Sequence, residues 1–255
     1  MDINFELDES GDRVGRRVVP VVAQSPENSA LVGDRVRLER LSVEHSPDLW
    51  EAFSATDSTT LWTYMPHGPF DNESAQRDWI RGVADSPDPL FYAIVDSATN
   101  RATGIASYLR IDPTNGVIEV GWLSFSGALS RTPAATEAMY LMAKNAFDRG
   151  FRRYEWKCNV LNGPSIAAAE RLGFSFEGVF RNAVFVKGRN RDTAWFAFTA
   201  EDWNSGIRAA HETWLDASNF TPAGEQVARL ADLTEPLRHS TFPTVSVTFR
   251  TASNS

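Results

Sequence analysis

The sequence is poor in the residues that build metal and redox sites. It has one cysteine, Cys158, and four histidines in 255 residues. A single cysteine excludes an internal disulfide, and the scattered histidines show no zinc-ligand spacing. We therefore expect no bound metal and a reducing compartment, and we take the cytoplasm as the location.

Long apolar runs and an excess of basic charge are also missing. No segment approaches the roughly 20 consecutive apolar residues of a membrane-spanning helix, and the N-terminal stretch MDINFELDESGDRVGRR lacks a signal-peptide core. The formal net charge is −8, whereas a nucleic-acid-binding protein needs a basic surface. We expect neither membrane nor nucleic acid as a partner. The acidic surface either suits an amine-bearing partner or serves only solubility.

Hydrophobic residues make up 42% of the chain, enough for one large core. Composition divides the chain into three parts. Residues 1–30 predict an N-terminal arm outside the core, disordered or draped over a surface. Residues 31–220 predict one compact domain, and the polar, proline-interrupted residues 221–255 predict a C-terminal extension. Apolar residues of a helix within 203–220 are compatible with a homodimer.

Periodicity predicts an α+β fold with a mixed sheet. Apolar residues alternate in strands and recur every three or four positions in helices. The expected strands are 35–41, 90–96, 102–111, 116–125, 152–160, 176–188 and 191–199, the last two joined by a turn at Gly188-Arg189-Asn190. The expected helices start at Ser46 as N-cap, near Asn72, at Pro133, at 162–165 and at Thr199, where Thr199 and Asp202 form a capping box.

One connection in this order is parallel. Strand 116–125, the helix from Pro133 and strand 152–160 form a parallel crossover unit. Where this unit meets the antiparallel strands, the sheet can splay and leave backbone groups unpaired beside a helix N-terminus. An extended ligand with amide groups and a terminal phosphate would satisfy both features. The helix entrance, LSRTPAATEA at 129–138, is polar but lacks the glycines that usually wrap a phosphate.

Several short motifs occur in a fixed order around this crossover. They are Glu119-x-Gly121-x-x-Leu123, Ala-Thr-Glu-Ala at 135–138, Asn162-x-x-Ser165 and Arg171-Leu-Gly-Phe174. Together they resemble the GNAT superfamily of acetyl-CoA-dependent N-acetyltransferases, in particular its RimJ/RimL-type branch, over roughly residues 31–203. The resemblance implies a GNAT-like splayed sheet flanked by helices. It also implies direct transfer of an acetyl group from acetyl-CoA to a primary amine, on a small molecule or a protein N-terminus.

The resemblance implies that acetyl-CoA lies between the fourth and fifth strands of the family, with its pyrophosphate at the helix start. The family's phosphate signature, Gln/Arg-x-x-Gly-x-Gly/Ala, falls on 130–135, where the central glycine is Pro133, which has no N–H to donate. Either Arg131 and Thr132 replace the missing donor, or Pro133 simply starts the helix. The implied coenzyme-binding residues are Leu123, Ser124, Ser130, Arg131, Thr132, Ala134, Ala135, Asn162 and Ser165.

The candidate catalytic residues are Glu119 and Ser165. Glu119 is either the base that takes the amine proton or a strand carboxylate paired with an arginine. Ser165 either orients or protonates the coenzyme sulfur, or caps its helix. The tyrosine that often acts as acid in this superfamily is replaced by Ala169. Because Ala169 and Pro133 both depart from the family, the alternative is a catalytically weak acyl-CoA-binding regulatory protein.

Acceptor recognition is expected from the aromatic loop LWTYMPHGPFDNES at 61–74. Tyr64, His67 and Phe70 either line an amine pocket, with His67 as a second candidate base, or hold the loop against the core.

Cys158 is interpreted as a buried core thiol rather than a nucleophile, since no histidine is near it in sequence. The basic turn 186–192 either contacts a phosphate or an acidic peptide, or is only solvated.

Overall fold

The computed structural model describes residues 5–19, 22–55 and 58–243, with no side-chain description at 58–59. Residues 1–4 and 20–21 of the expected N-terminal arm, and residues 244–255 of the expected C-terminal extension, lie outside the described residues. Within the described residues, no helix is both long enough and apolar enough to cross a membrane.

The described strands confirm the α+β class and the mixed sheet. A small antiparallel hairpin precedes an eight-stranded sheet with the order β3-β4-β5-β6-β7-β8-β10-β9. The strands are β1 Phe5–Leu7, β2 Arg13–Gly15, β3 Leu31–Val32, β4 Val36–Arg40, β5 Leu90–Asp96, β6 Ala102–Asp112, β7 Val117–Phe125, β8 Arg153–Asn159, β9 Ser175–Val186 and β10 Arg189–Thr199. All neighbouring pairs of the large sheet are antiparallel except β7 and β8, which are parallel.

The helices of the described residues are α1 Ser46–Ser54, α2 Ser58–Leu61, α3 Glu73–Val83, α4 Pro133–Asp148, α5 Gly163–Arg171, α6 Ala200–Asp202, α7 Arg208–Leu215 and α8 Leu230–Thr234, with a π-helical turn at Trp203–Ile207. The Thr199–Asp202 capping box is present, as predicted. The prediction of Ser46 as N-cap is wrong. A short 3₁₀ turn, Val43–His45, runs directly into α1, so His45 takes the cap position and the Ser46 side chain is buried.

The two faces of the sheet carry two separate cores because side chains alternate along each strand. One face packs against α4, α5 and α7 through buried residues of three strands, including Ile118, Val120, Tyr154, Trp156, Phe196 and Phe198. The other face packs against α1 and α3 through Leu49, Phe53, Ile80, Phe91 and Ile105. Alternation therefore directs three charged residues to the second face. They are Glu119 of β7 and Glu155 and Lys157 of β8.

The sheet splays between β7 and β8, as predicted. Their parallel pairing runs from Val117–Arg153 to Val120–Trp156 and stops there. Beyond that point β7 continues beside β6, and β8 continues beside β10. A bulge at Trp122, which has φ 52°, adds one residue to β7 where the strands part. The inner edges of both strands are thus available to a ligand.

The turn between β9 and β10 lies earlier than predicted. It consists of Lys187 and Gly188, not Gly188-Arg189-Asn190. Both residues have positive φ, 49° and 72°, which is the geometry of a two-residue hairpin turn that matches the twist of the strands. The Lys-Gly pair therefore fixes the register of the hairpin.

The apolar helix residues that suggested a homodimer are not exposed. The apolar residues Trp203, Ile207 and Trp214 are buried in the chain's own core.

Parts of the N-terminal arm and of the C-terminal extension contact the domain. Ala23 is buried and donates its backbone N–H to Pro113 O at 3.1 Å, and Phe242 N donates to Glu170 Oε1 at 2.7 Å.

Candidate active site

The entrance of α4 is organised by its own backbone. Ser126 O accepts hydrogen bonds from the N–H groups of Leu129 and Ser130 at 3.1 and 2.8 Å, which closes a tight turn before the helix. The Thr132 hydroxyl donates to Leu129 O at 2.6 Å and accepts from Ala135 N at 3.2 Å, so it caps the helix. Pro133 is the first helical residue. The Thr132 hydroxyl thus already serves the helix start.

Two other residues of this entrance remain at the surface. Ser130 and Arg131 are exposed, and Arg131 has φ 63°. A left-handed conformation at a non-glycine residue costs about 1–2 kcal/mol. Arg131 is the basic residue of this entrance, so it adds positive charge near the helix N-terminus.

The start of α5 faces the same side of the sheet. Asn162 Oδ1 accepts the Ser165 N–H at 3.2 Å, so the capping role considered for Ser165 belongs to Asn162. Ser165 Oγ accepts from Trp156 Nε1 at 3.1 Å. Burial raises the pKa of Cys158 to about 11, so the thiol is protonated at neutral pH. This supports its interpretation as a core residue.

Glu119 lies on the opposite face of the sheet within a buried network of charges. Its side chain is only 4% exposed, and it pairs with Lys157 at 2.8 Å and with Arg110 at 2.5 Å. Lys157 also pairs with Glu155 at 2.7 Å, and its Nζ lies 3.7 Å from the centroid of the Trp195 ring. The arginine pairing considered for Glu119 is therefore present, together with a buried lysine.

The two carboxylates that share Lys157 respond differently to their surroundings. Burial raises the pKa of Glu119, and the nearby cations Lys157 and Arg110 only partly oppose it. Burial also acts on Glu155, but hydrogen bonds from Lys157 and Arg153 outweigh it and lower the pKa of that carboxyl group. Glu119 is consequently the better proton acceptor of the two near neutral pH.

The aromatic loop packs against the second core. His67 is stacked between Trp79 and Trp122, with ring centroids 4.4 and 5.1 Å apart, and Phe70 packs against Trp62 at 5.6 Å. Both His67 ring nitrogens are buried without a hydrogen-bond partner in the described part of the chain. Burial, together with the charge of Lys187, lowers the pKa of His67 to about 3. The ring is neutral at pH 7 and enclosed by aromatic side chains.

The same loop reaches across to the far side of the splay. The Tyr64 hydroxyl donates to Leu161 O at 2.9 Å, beyond the end of β8, and Lys187 Nζ donates to Trp62 O at 2.8 Å. Gly68 allows the chain to fold closely over Trp62, because its φ is 60° and a Cβ there would lie 2.6 Å from the indole ring. Loop and hairpin are thereby joined over the ends of β7 and β8.

The predicted site residues fall into two groups on either side of the splay. Leu123, Ser130, Arg131, Thr132, Ala134, Ala135, Asn162 and Ser165 belong to the β7 edge or the entrances of α4 and α5. Glu119, Tyr64, His67 and Phe70 belong to the other face or its loop. Ser124 is fully buried on β7, and its hydroxyl has no partner within the described residues.

The sequence suggested an arginine partner for Glu119 but identified neither Arg110 nor Lys157. The available signal was a charged residue at every second position of β8, which marks one polar face of a strand. These residues are Arg153, Glu155 and Lys157.

In the described ranges, no group of three or more histidine, cysteine, aspartate or glutamate residues is placed to hold a metal ion.

A mixed sheet that opens between two parallel strands beside a helix N-terminus is built for an extended, phosphate-bearing ligand. Residues 35–175 match the family described as the acetyltransferase (GNAT) domain, and this chain belongs to that family. It is accordingly an acetyl-CoA-dependent acetyltransferase.

Solved structures and curated relatives agree with this membership. The chain is 41% identical to a GCN5-related N-acetyltransferase from Brucella melitensis, with a TM-score of 0.81 over 85% of this chain and 97% of that chain. It is 25% identical to the N-acetyltransferase p20 of Bacillus licheniformis over 68% of this chain and 97% of the relative. The microcin C7 self-immunity acetyltransferase MccE, solved with acetyl-CoA and AMP, shares the fold at 22% identity and a TM-score of 0.58, over 66% of this chain and 93% of that chain.

Proposed function

We propose that this enzyme transfers the acetyl group of acetyl-CoA directly to a primary amine where β7 and β8 part. The acceptor is either a small-molecule amine or the α-amine of a protein N-terminus, as the RimJ/RimL-type motifs suggest. The observation that carries the proposal is the arrangement of Glu119 and Ser165 on opposite faces of the splayed pair. Thioester and amine therefore approach each other through the gap from opposite sides.

Acetyl-CoA supplies the thioester, and the residues of this chain fit its shape and charge. The diverging edge of β7 at Leu123 offers unpaired backbone groups to an amide-bearing arm. Arg131 and the first-turn N–H groups of α4 offer positive charge to phosphates. Ser165, which accepts a hydrogen bond from Trp156, is the hydroxyl that we propose orients the sulfur.

Glu119 is the proposed base on the acceptor side. A primary amine is mostly protonated at neutral pH, so it must lose a proton before or during attack on the thioester. Glu119 lies on the face opposite Ser165, and burial raises its pKa towards the working pH. Arg110 and Lys157 keep the carboxylate ionised and fixed in position.

A mass-resolved search for products tests this proposal. The protein is incubated with acetyl-CoA and a panel of amines and peptides, or a cell extract, and free CoA thiol is measured in parallel. We expect an acetylated amine that increases in step with CoA release. Tight coenzyme binding without turnover on any amine would instead favour the acyl-CoA-binding regulatory protein.

A further inference from the structure

Three polar side chains lie in a row on β10, on the face of the sheet that carries Glu119. Arg191, Thr193 and Trp195 alternate with Ala194 and Phe196, which are buried in the core beneath α4 and α5. The register places Thr193 opposite Asn159 and Trp195 opposite Lys157 on β8. The row is thus adjacent to the buried charges around Glu119.

Each member of this row has an unused polar atom. Arg191 Nε, Thr193 Oγ1 and Trp195 Nε1 are buried and have no hydrogen-bond partner among the residues that the structure describes. A buried polar group without a partner costs about 1–3 kcal/mol. Guanidinium and indole N–H groups only donate, so the group that satisfies them must be an acceptor.

The acidic side chains nearby are already engaged. Glu119 and Glu155 share Lys157 and have Arg110 and Arg153 as further partners. None of these ion pairs includes Arg191. Burial lowers the pKa of its guanidinium, and Cys158, Glu119 and Arg110 are its electrostatic neighbours. One positive charge near the reaction centre is therefore left without a counter-ion in this network.

A second cation lies at the end of the same hairpin. Lys187 donates to the carbonyl oxygen of Trp62, not to a carboxylate, and this contact joins the hairpin to the aromatic loop. The acceptor side is therefore locally more positive than the chain as a whole, which carries a net charge of −8. Local charge determines the preferred ligand more directly than net charge does.

We infer that the acceptor amine carries a carboxylate, held by Arg191 together with the hydroxyl of Thr193, its neighbour on the same face of β10. The inference rests on the proposed function and specifies its substrate class, an amino acid or an acidic peptide rather than a simple cationic amine. A carboxylate has two acceptor oxygens, so it can accept from a guanidinium and from a hydroxyl two residues further along the same face of a strand. Arg191 thereby acts as a specificity-determining residue.

The test compares matched acceptors that differ only in charge. Glutamate, aspartate and short acidic peptides are each paired with the corresponding carboxamide, and kcat/KM is measured for the wild type and Arg191→Gln. We expect a preference for the carboxylate of about 10- to 100-fold, the range of a charge-assisted hydrogen bond. Arg191→Gln should remove this preference by raising KM for the carboxylate only. The control Arg189→Gln removes an exposed charge from the same strand and should retain the preference.

A binding readout separates this inference from the proposed function. Calorimetry with CoA-loaded protein compares N-acetylglutamate with N-acetylglutamine, and thermal unfolding confirms that the variants fold. Tighter binding of the carboxylate that Arg191→Gln abolishes supports the inference even if no amine is turned over. Equal use of the carboxylate and its amide by the wild type, or an equal preference in Arg191→Gln, overturns it and leaves amine acetylation intact.

Discussion

Replacing Lys157 by methionine would remove the cation that two buried carboxylates share. Lys157 Nζ lies 2.8 Å from Glu119 and 2.7 Å from Glu155, and its side chain is 5% exposed. Removing one partner of a buried ion pair typically costs about 3–5 kcal/mol. Because Arg110 still pairs with Glu119 at 2.5 Å, we expect the lower end, about 3 kcal/mol, in urea unfolding at pH 8.

The sign of the pH dependence makes this prediction specific. Without Lys157, the folded-state pKa of Glu119, which burial already raises, rises further, and the lowered pKa of Glu155 rises as well because only Arg153 still hydrogen-bonds it. Their protonated forms then favour folding, so the stability lost at pH 8 should be partly recovered at pH 5. The acid limb of kcat/KM should also move up by about 1–2 pH units, since a nearby cation lowers a carboxyl pKa by roughly that amount.

Lys157→Arg is the matched control because it keeps the charge. It should retain the acid limb of the wild type even if packing against Trp195 changes. Equal destabilisation of Lys157→Met at pH 5 and pH 8, with an unmoved acid limb, would show that Lys157 does not control the protonation of the two carboxylates. Lys157 would then contribute through packing alone.

Three further predictions concern stability and coenzyme binding. Glu137→Ala removes a buried carboxylate that accepts the backbone N–H groups of residues 34–36 at 2.7–3.2 Å, so urea unfolding should show a loss of about 3 kcal/mol, roughly 1 for each bond. His67→Phe should make stability less dependent on pH: the folded-state pKa of His67 is about 3, so wild-type stability falls between pH 7 and pH 5 by about 2 kcal/mol more than that of the variant. Arg131→Gly should weaken acetyl-CoA binding about 10-fold or more in calorimetry, with stability almost unchanged because glycine suits φ 63°.

Local signals predicted most of the elements and the splay. Apolar and aromatic runs bounded by turn residues indicated β5 to β8, and the order strand, helix, strand required one parallel pair. The bulge at Trp122 was not predictable in this way, because a tryptophan at φ 52° is stabilised by tertiary contacts such as its stacking on His67. The exact shape of the gap therefore depends on contacts between distant segments.

The sequence indicated candidate side chains for the site but not how they pair. Glu119 could be singled out on its strand, yet Arg110 and Lys157 come from the two neighbouring strands, and their meeting depends on register. The role of Thr132, in contrast, follows from its immediate neighbours in the sequence. A threonine directly before a helix-starting proline is a strong N-cap signal, and the structure uses its hydroxyl for that purpose.

Replacement of the proposed base, Glu119, is the decisive measurement for acetyl transfer at this site. Glu119→Gln is compared with the wild type at saturating acetyl-CoA and a turned-over amine, with coenzyme affinity measured by calorimetry. If Glu119 takes the amine proton, kcat should fall by about 10²- to 10⁴-fold while the acetyl-CoA Kd stays the same. An unchanged kcat across the pH range would contradict the assignment and show that Glu119 only pairs with Arg110 and Lys157.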